Sequence, residues 1–216
     1  MSHSNDSSEA SEPAPSPAQV TTLEGFFLES GGEIVTPETY PTHETAHQLL
    51  KNQDLVGVNR LLHKRELTPT DSQPVVRMNR DTYYSMAVVD VSAGASITMP
   101  EVPEGTYMSV QPVTEDHRIQ AMRYGPGTFE LSAHMGTHLY IVIRLDSRLS
   151  PEEAASIQDQ MSISANSSTR FGATPVNRRS FEEVENALKA MMPAITERDG
   201  PRALEGMFTD ARDESN

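Results

Sequence analysis

Residues 137–145 read THLYIVIRL, and this stretch decides the fold. Every second position is aliphatic: Leu139, Ile141, Ile143 and Leu145. The positions between them are mixed: His138, Tyr140, Val142 and Arg144. A repeat of two residues is that of a β-strand, because successive side chains of a strand point to opposite faces. The pattern therefore predicts a strand with one dry face and one mixed face.

Other short strands are predicted upstream of this one. They are rich in aromatic and β-branched residues and cover residues 83–91, 97–99, 106–113 and 128–131. Glycine and proline turns separate them, at Gly94, Pro100, 103–105 and 124–127. Short strands between such turns are typical of a mainly antiparallel β sandwich or a partial barrel.

Helical patterns lie at both ends of the strand region. Thr42 is a candidate N-cap for a first helix, and residues 150–153 (SPEE) combine an N-cap serine, a proline and a glutamate at N3. Residues 180–183 (SFEE) predict a further capping box for a helix that Pro193 ends, after a polar connection over residues 162–177. The fold class predicted is α+β, with flanking helices at both ends.

The chain of 216 residues suits a single domain with ragged ends. Residues 1–19 hold serine, proline, alanine and acids with almost nothing to bury, so we expect a disordered N-terminal tail. Residues 209–216 predict a disordered C-terminal tail for the same reason. The ordered domain is expected over residues 20–208.

The charge is strongly acidic, with 31 acids against 17 bases and a formal net charge of -14. This argues against a nucleic-acid partner, which needs a basic patch. Only Lys51, Lys64 and Lys189 are lysines, so the remaining bases are arginines. An acidic, lysine-poor composition fits either a halophile, whose salt screens self-repulsion, or a GC-rich genome.

Several classes of function are disfavoured by what the sequence lacks. There is no cysteine, which excludes disulfides and thiol chemistry. No apolar run resembles a signal peptide or a membrane span, so we expect a cytoplasmic protein without a membrane partner. No phosphate-binding or dinucleotide-binding glycine motif occurs, and no cofactor is predicted.

A family resemblance runs from about residue 44 to residue 145. Its most specific part is HKRELTPTDSQPVVRMNRDTYYSMAVVDVSAG at residues 63–94, followed by ITMPEVPEGTYMSVQPVTEDHR at residues 97–118. These segments resemble the "domain of unknown function 1254" family, which has no assigned activity. The resemblance implies a second C-terminal domain, the "domain of unknown function 1214", and we expect it to be missing from this chain, which stops near MFTDARDESN. We therefore expect self-association or a partner that carries the missing domain.

The segment VVRMNRDT at residues 75–82 is the first candidate site. A guanidinium beside a carboxylate and an amide is suited to an anionic ligand, with Arg77, Asn79 and Arg80 as binding residues. Asp81 is a candidate for moving a proton. The alternative is that these side chains only satisfy backbone groups and pin a turn.

Three further residues are candidates for the same site. His117, in the segment TEDHR at residues 114–118, is a possible general acid or base, and His63 and Arg65 lie two residues apart upstream. The alternative for residues 114–118 is a solvated loop. A shared site requires that folding bring His63, Asp81 and His117 together.

The segment HETAH at residues 43–47 matches the H-E-x-x-H pattern of zinc hydrolases. On a helix, His43 and His47 would share one face and Glu44 would be the base beside a bound water. Pro41 places His43 in a fraying first turn, and no third ligand follows at a typical spacing. Three functions thus stay open: an assembly or interaction module, an anionic-ligand or enzymatic domain, and a zinc hydrolase.

Overall fold

The computed structural model describes residues 18–69, 81–199 and 209–210. Four helices lie in these ranges: α1 (Leu23–Phe26), α2 (Tyr40–Val56), α3 (Pro151–Gln158) and α4 (Arg178–Asp199). None of the helices in the described ranges has both the length and the apolar character that a bilayer crossing requires. Arg77, Asn79 and Arg80 lie outside the described residues.

Twelve strands complete the described part of the fold. They are β1 (Phe27–Leu28), β2 (Leu61–His63), β3 (Thr82–Asp90), β4 (Ala95–Met99), β5 (Met108–Thr114), β6 (Arg118–Ile119), β7 (Arg123–Tyr124), β8 (Gly127–Leu131), β9 (His138–Asp146), β10 (Ser162–Ala165), β11 (Val176–Asn177) and β12 (Thr209–Asp210).

The main sheet has seven strands in the order β12-β6-β5-β9-β3-β2, with β7 also paired to β5. Its centre is β9, which pairs antiparallel with β3 along nine residues and with β5 along seven. Long antiparallel pairing fixes the register, because a slip of one residue would turn every side chain to the opposite face. As described, the sheet ends at β2 and β12 and does not close into a barrel.

One face of the main sheet is dry. The aliphatic positions of β9 lie in a buried cluster with Tyr83, Val110 and the three-stranded sheet β10-β4-β8, whose Ile97 is fully buried. Helix α3 adds Ala154 and Ile157 to the same cluster. Two sheets thus enclose one core, and the sandwich arrangement predicted from the alternation is confirmed as part of an α+β fold.

Helices cover part of the opposite face. Leu49 and Leu50 of α2 pack with Val88 of β3, in a cluster that also includes Phe181 of α4. Tyr140 of β9 lies against this cluster. Among the described residues, the second core therefore covers the Val88–Tyr140 end of that sheet face.

Four local predictions need correction. Thr42 is not the N-cap of α2, which begins at Tyr40 after Thr39 and takes Pro41 into its first turn. Ser180 is not the cap of α4, because Asn177 Oδ1 accepts the hydrogen bond from the Ser180 amide at 3.0 Å. Pro193 lies inside α4 and does not end it, although it removes one helical hydrogen bond.

The connection at residues 162–177 is also more ordered than predicted. It contains two strands. β10 pairs antiparallel with the first four residues of β4, and β11 pairs in parallel with β1. The alternating serine and small apolar side chains of β10 gave too weak an apolar signal to mark it as a strand. The C-terminal pair Thr209–Asp210 lies beside β6 in parallel.

The capping box predicted at residues 150–153 is present, and its contribution to stability can be measured. The Glu153 amide donates to Ser150 Oγ at 3.3 Å, and the Ser150 amide donates to Glu153 Oε2 at 2.9 Å. Ser150→Ala should lower the free energy of unfolding by about 1 kcal/mol in urea denaturation, because the orphan amide loses its acceptor. Ser156→Ala, an exposed position on the same helix, is the control and should change it by less than about 0.5 kcal/mol. Equal effects at both positions would contradict the capping role.

Candidate functional site

The mixed face of the main sheet carries the candidate site, and we call it the polar face. It bears the side chains of Tyr84 and Met86 on β3, Tyr140, Val142 and Arg144 on β9, and Ser109 and Gln111 on β5. Pairing across the strands places Arg144 between Tyr84 and Ser109 in one row. These positions face away from the dry core because they alternate with its members.

Arg144 is the central cation of the polar face. Its Nη1 donates to Gln111 Oε1 at 2.5 Å, and its guanidinium carbon lies 5.7 Å from the centre of the Tyr84 ring. Gln111 is buried and Arg144 is half-buried. Within the described residues, no carboxylate oxygen lies within 4 Å of the Arg144 guanidinium. The contacts of Arg144 that these residues provide are thus with neutral groups.

Two exposed tyrosines continue this row. Ser109 pairs with Tyr124 on β7, and the Tyr107 hydroxyl donates to Ser109 Oγ at 2.9 Å. The rings of Tyr107 and Tyr124 stand 6.4 Å apart at 60° and are 41% and 62% exposed. The open end of the polar face is therefore aromatic.

The other end of the polar face lies under α2. Asn52, only 2% exposed, donates from Nδ2 to the Gln48 carbonyl oxygen at 3.1 Å and to the Tyr140 hydroxyl at 3.4 Å. Its Oδ1 is buried without a hydrogen-bond partner in the structure. Burial raises the pKa of Tyr140, opposed by the hydrogen bond from Asn52, so the phenol keeps its proton.

His117 reaches the same end from the turn between β5 and β6. It has a positive φ of 65°, and its Nδ1 lies 2.6 Å from Thr45 Oγ1 on α2. Burial lowers the pKa of His117, while the charges of Glu44 and Asp116 act in the opposite direction. His117 is therefore a half-buried imidazole that links the main sheet to α2, and the solvated-loop alternative for this residue is incorrect.

The rest of the segment at residues 114–118 is tied together locally. Asp116 accepts hydrogen bonds from Thr114 at 2.5 Å and from Arg118 at 3.1 Å. His134 Nε2 lies 3.1 Å from the same carboxylate. Burial raises the pKa of Asp116, but the hydrogen bonds from Thr114 and His134 outweigh it and lower the pKa overall. These contacts stabilise the turn that places His117 against Thr45 of α2.

His63 and Arg65 lie on the opposite face of the sheet. His63 Nδ1 is 2.7 Å from Ser85 Oγ, whose position on β3 alternates with those of the polar face. Burial and then the Arg65 charge lower the pKa of His63. Arg65 donates to Gln158 Oε1 at 3.1 Å and pairs with Asp159 at 2.5 Å. His63 therefore joins β2 to β3, and Arg65, just after β2, joins this edge of the sheet to the end of α3.

The structure does not bring His63, Asp81 and His117 together. Asp81 precedes Thr82, which pairs with Asp146, whereas His117 follows Thr114, which pairs with Leu139. The two ends differ by seven residues along β9, roughly 23 Å at about 3.3 Å per residue. His63 is on the other face of the sheet. The convergence of these three residues, which a shared site requires, is therefore not found in the structure.

The HETAH segment lies in the first two turns of α2. Glu44 accepts from Gln48 and lies 2.9 Å from His47 Nδ1, while His43 Nε2 is 3.7 Å from Glu33. His47 packs edge-on against Phe27. Across the part of the chain that the structure describes, no three acidic, histidine or cysteine side chains are grouped to hold a metal. The contacts of His47 and Glu44 are those of a helix packed into a core.

Comparisons with known proteins agree with the resemblance. Residues 58–128 match the family model described as "Protein of unknown function (DUF1254)". The resemblance seen in the sequence is confirmed over that stretch, and it brings no activity with it. No curated protein matches the sequence.

The chain is also similar to a protein of known structure. The crystal structure is that of the VPA0106 protein from Vibrio parahaemolyticus, with 16% identity and a TM-score of 0.45. The match covers 82% of this chain and 53% of that one, so the chain spans about half the length of that protein.

The sequence analysis missed Arg144 as a site residue, although its alternation placed the side chain correctly. The available signal was an arginine inside a strand whose other mixed positions, Tyr140 and Val142, are suited to partial burial. Its partners Gln111 and Tyr84 come from other strands. The order of residues along the chain does not show that Arg144 lies close to Gln111 and Tyr84.

Acid titration tests the buried position of His117. An unfolded imidazole has a pKa of about 6.5, and the folded pKa is lower, so the unfolded state binds more protons as the pH falls through that range. Acidification from about pH 8 to about pH 5 should therefore reduce the free energy of unfolding. His117→Asn, which tolerates the positive φ, should show a smaller reduction in urea denaturation. An unchanged pH dependence in the variant would contradict this account.

Proposed function

We propose that the polar face binds a small anionic ligand through Arg144. The observation that carries the proposal is the half-buried guanidinium whose contacts in the described chain are with neutral groups, Gln111 Oε1 and the Tyr84 ring. A guanidinium has five donors in a planar fork, which matches the two oxygens of a carboxylate or phosphate. Gln111 holds one side of that fork and leaves donors for a ligand.

The arrangement differs from that of other arginines in the protein. Several arginines pair with an acid: Arg65, Arg118, Arg148, Arg170, Arg178 and Arg179. The chain has 31 acids for 17 bases, so carboxylates are abundant. Arg144 is a partly buried cation with no carboxylate partner in the described part of the chain, and in so acidic a protein this favours an anion supplied from outside.

The polar face also offers groups that fix an orientation. The Tyr84 ring packs on the guanidinium, and Gln111 and Ser109 are buried hydrogen-bonding side chains in the same region. Binding sites commonly combine apolar walls with a few placed polar groups. This is the anionic-ligand function considered from the sequence, moved from Arg77 to Arg144.

Other expectations from the sequence stay predictions. They are ligand contacts through Arg77, Asn79 and Arg80, self-association or a partner with the second domain, and a cytoplasmic location. Asp81 and His117 stay candidates for proton transfer, but at different ends of the sheet.

An NMR titration tests the proposal directly. Adding propionate or inorganic phosphate to the full chain at constant ionic strength should shift the Arg144 Nε–H and neighbouring amide signals in a saturable way. We expect a Kd on the order of 10 mM for such minimal anions, since one charge-assisted contact contributes about 1.5–3 kcal/mol. Arg144→Gln should abolish the saturable shifts and leave the melting temperature within a few degrees, because glutamine still bonds to Gln111.

Arg123→Gln is the matched control. Arg123 is exposed on β7. It pairs with Val110, a member of the dry core, so its side chain lies on the face of the sheet opposite to the polar face. The change in net charge is the same, and binding should persist. The proposal is wrong if Arg144→Gln titrates like the native protein, or if the native protein shows only the linear drift that chloride produces.

A further inference from the structure

We infer that a groove beside Glu33 binds a small organic ammonium ion that carries an aliphatic chain. The groove lies around the two-stranded β1–β11 sheet and has a volume of about 410 Å³, within the range of small-molecule sites. It is lined by Ala18, Leu28, Gly32, Glu33, Thr174 and Pro175. The inference is independent of the anion proposed at Arg144, because it concerns another site and the opposite charge.

Backbone pairing to β11 sets the two sides of the groove. Leu28 of β1 pairs with Asn177, and Glu33 forms a parallel bridge to Val176. The Glu33 amide donates to the Pro175 carbonyl oxygen at 2.9 Å, and the Asn177 amide donates to the Glu33 carbonyl oxygen at 2.8 Å. These bonds use one side of β11, so Leu28 and Glu33 lie on opposite sides of that strand.

Gly32 allows the chain to pass close to β11 at this point. Its φ is 75°, in the left-handed region that favours glycine. A Cβ atom at this position would lie 2.6 Å from the carbonyl carbon of Val176. The groove therefore has a wall at Gly32 that carries no side chain, next to the carboxylate of Glu33.

The Glu33 carboxylate carries a charge that the described residues leave uncompensated. Its ion-pair contact among them is with His43 Nε2, at 3.7 Å. Burial lowers the pKa of His43, although the Glu33 charge acts in the opposite direction, so the imidazole is largely neutral at pH 7. Arg178, next to Asn177 in the chain, pairs with Glu29 and Glu182. The Glu33 side chain is 51% exposed and can therefore meet a cation from solvent.

One carboxylate beside aliphatic surface decides the ligand class. Leu28, Ala18 and Pro175 present carbon atoms to the groove, and Glu33 is the charged residue among those that line it. An ammonium group complements the carboxylate, and an alkyl chain gains free energy when it leaves water for such walls. A bare metal ion needs several ligands, and the described chain groups no three acidic, histidine or cysteine side chains to supply them.

The test compares three six-carbon compounds by NMR titration of the full chain at constant ionic strength. Hexylammonium should shift the Gly32 and Glu33 amide signals in a saturable way. It should bind about two- to fivefold more tightly than hexan-1-ol, the ratio expected of one exposed ion pair. Hexanoate should give no saturable shift of these signals. Ethylammonium should bind about tenfold more weakly than hexylammonium, because it lacks four methylenes that the groove partly buries.

A matched pair of variants tests the role of the carboxylate. Glu33→Gln keeps the shape of the side chain and removes its charge, so it should abolish the preference for hexylammonium over hexan-1-ol. Glu130→Gln, at an exposed position on β8 in another sheet, changes the net charge equally and should keep the preference. Melting temperatures verify that both variants are folded.

Three results would overturn the inference. The first is equal binding of hexylammonium and hexanoate by the native protein, which needs no variant. The second is a preference for hexylammonium that survives in Glu33→Gln. The third is a shift of the Gly32 and Glu33 signals that rises linearly with hexylammonium and does not saturate.

Discussion

The fixed register of β9 between β3 and β5 is the constraint on which the rest of the structure depends. Nine pairs on one side and seven on the other lock the alternation of this strand. It sends Ile141 and Ile143 into the dry core and Tyr140 and Arg144 to the polar face. A slip of one residue would bury the Arg144 guanidinium among aliphatic side chains, at a cost of several kcal/mol.

The two faces of the sheet are then covered to different extents. The second sheet and α3 seal the dry face, while α2 covers only the end of the polar face near Val88 and Tyr140. Asn52 and His117 serve as polar contacts beneath that helix. Arg144, farther along the same strand, is left half-buried beside aromatic and amide groups. This unequal cover by the described elements is the basis for proposing a ligand at Arg144.

Secondary structure was predicted well from the sequence where the pattern that marks a strand or helix lies within that element. The β9 alternation and the Ser150 capping box were both predicted correctly, since each depends on spacing within a few residues. Site geometry was predicted poorly because proximity across strands is not local. Candidates were grouped by nearness in the chain, yet Arg144 meets Gln111 from another strand and His117 meets Thr45 from a helix.

Cysteine labelling of β9 tests the central claim most directly, because the chain has no cysteine of its own. Val142→Cys lies on the polar face beside Arg144, and Ile143→Cys lies in the dry core with no exposed surface in the native residue. Val142→Cys should react with a small anionic thiol reagent in the folded protein, and propionate should slow that reaction. Ile143→Cys should react only as fast as the domain unfolds. Equal protection of both cysteines, or a Val142→Cys rate that propionate leaves unchanged, would contradict the account.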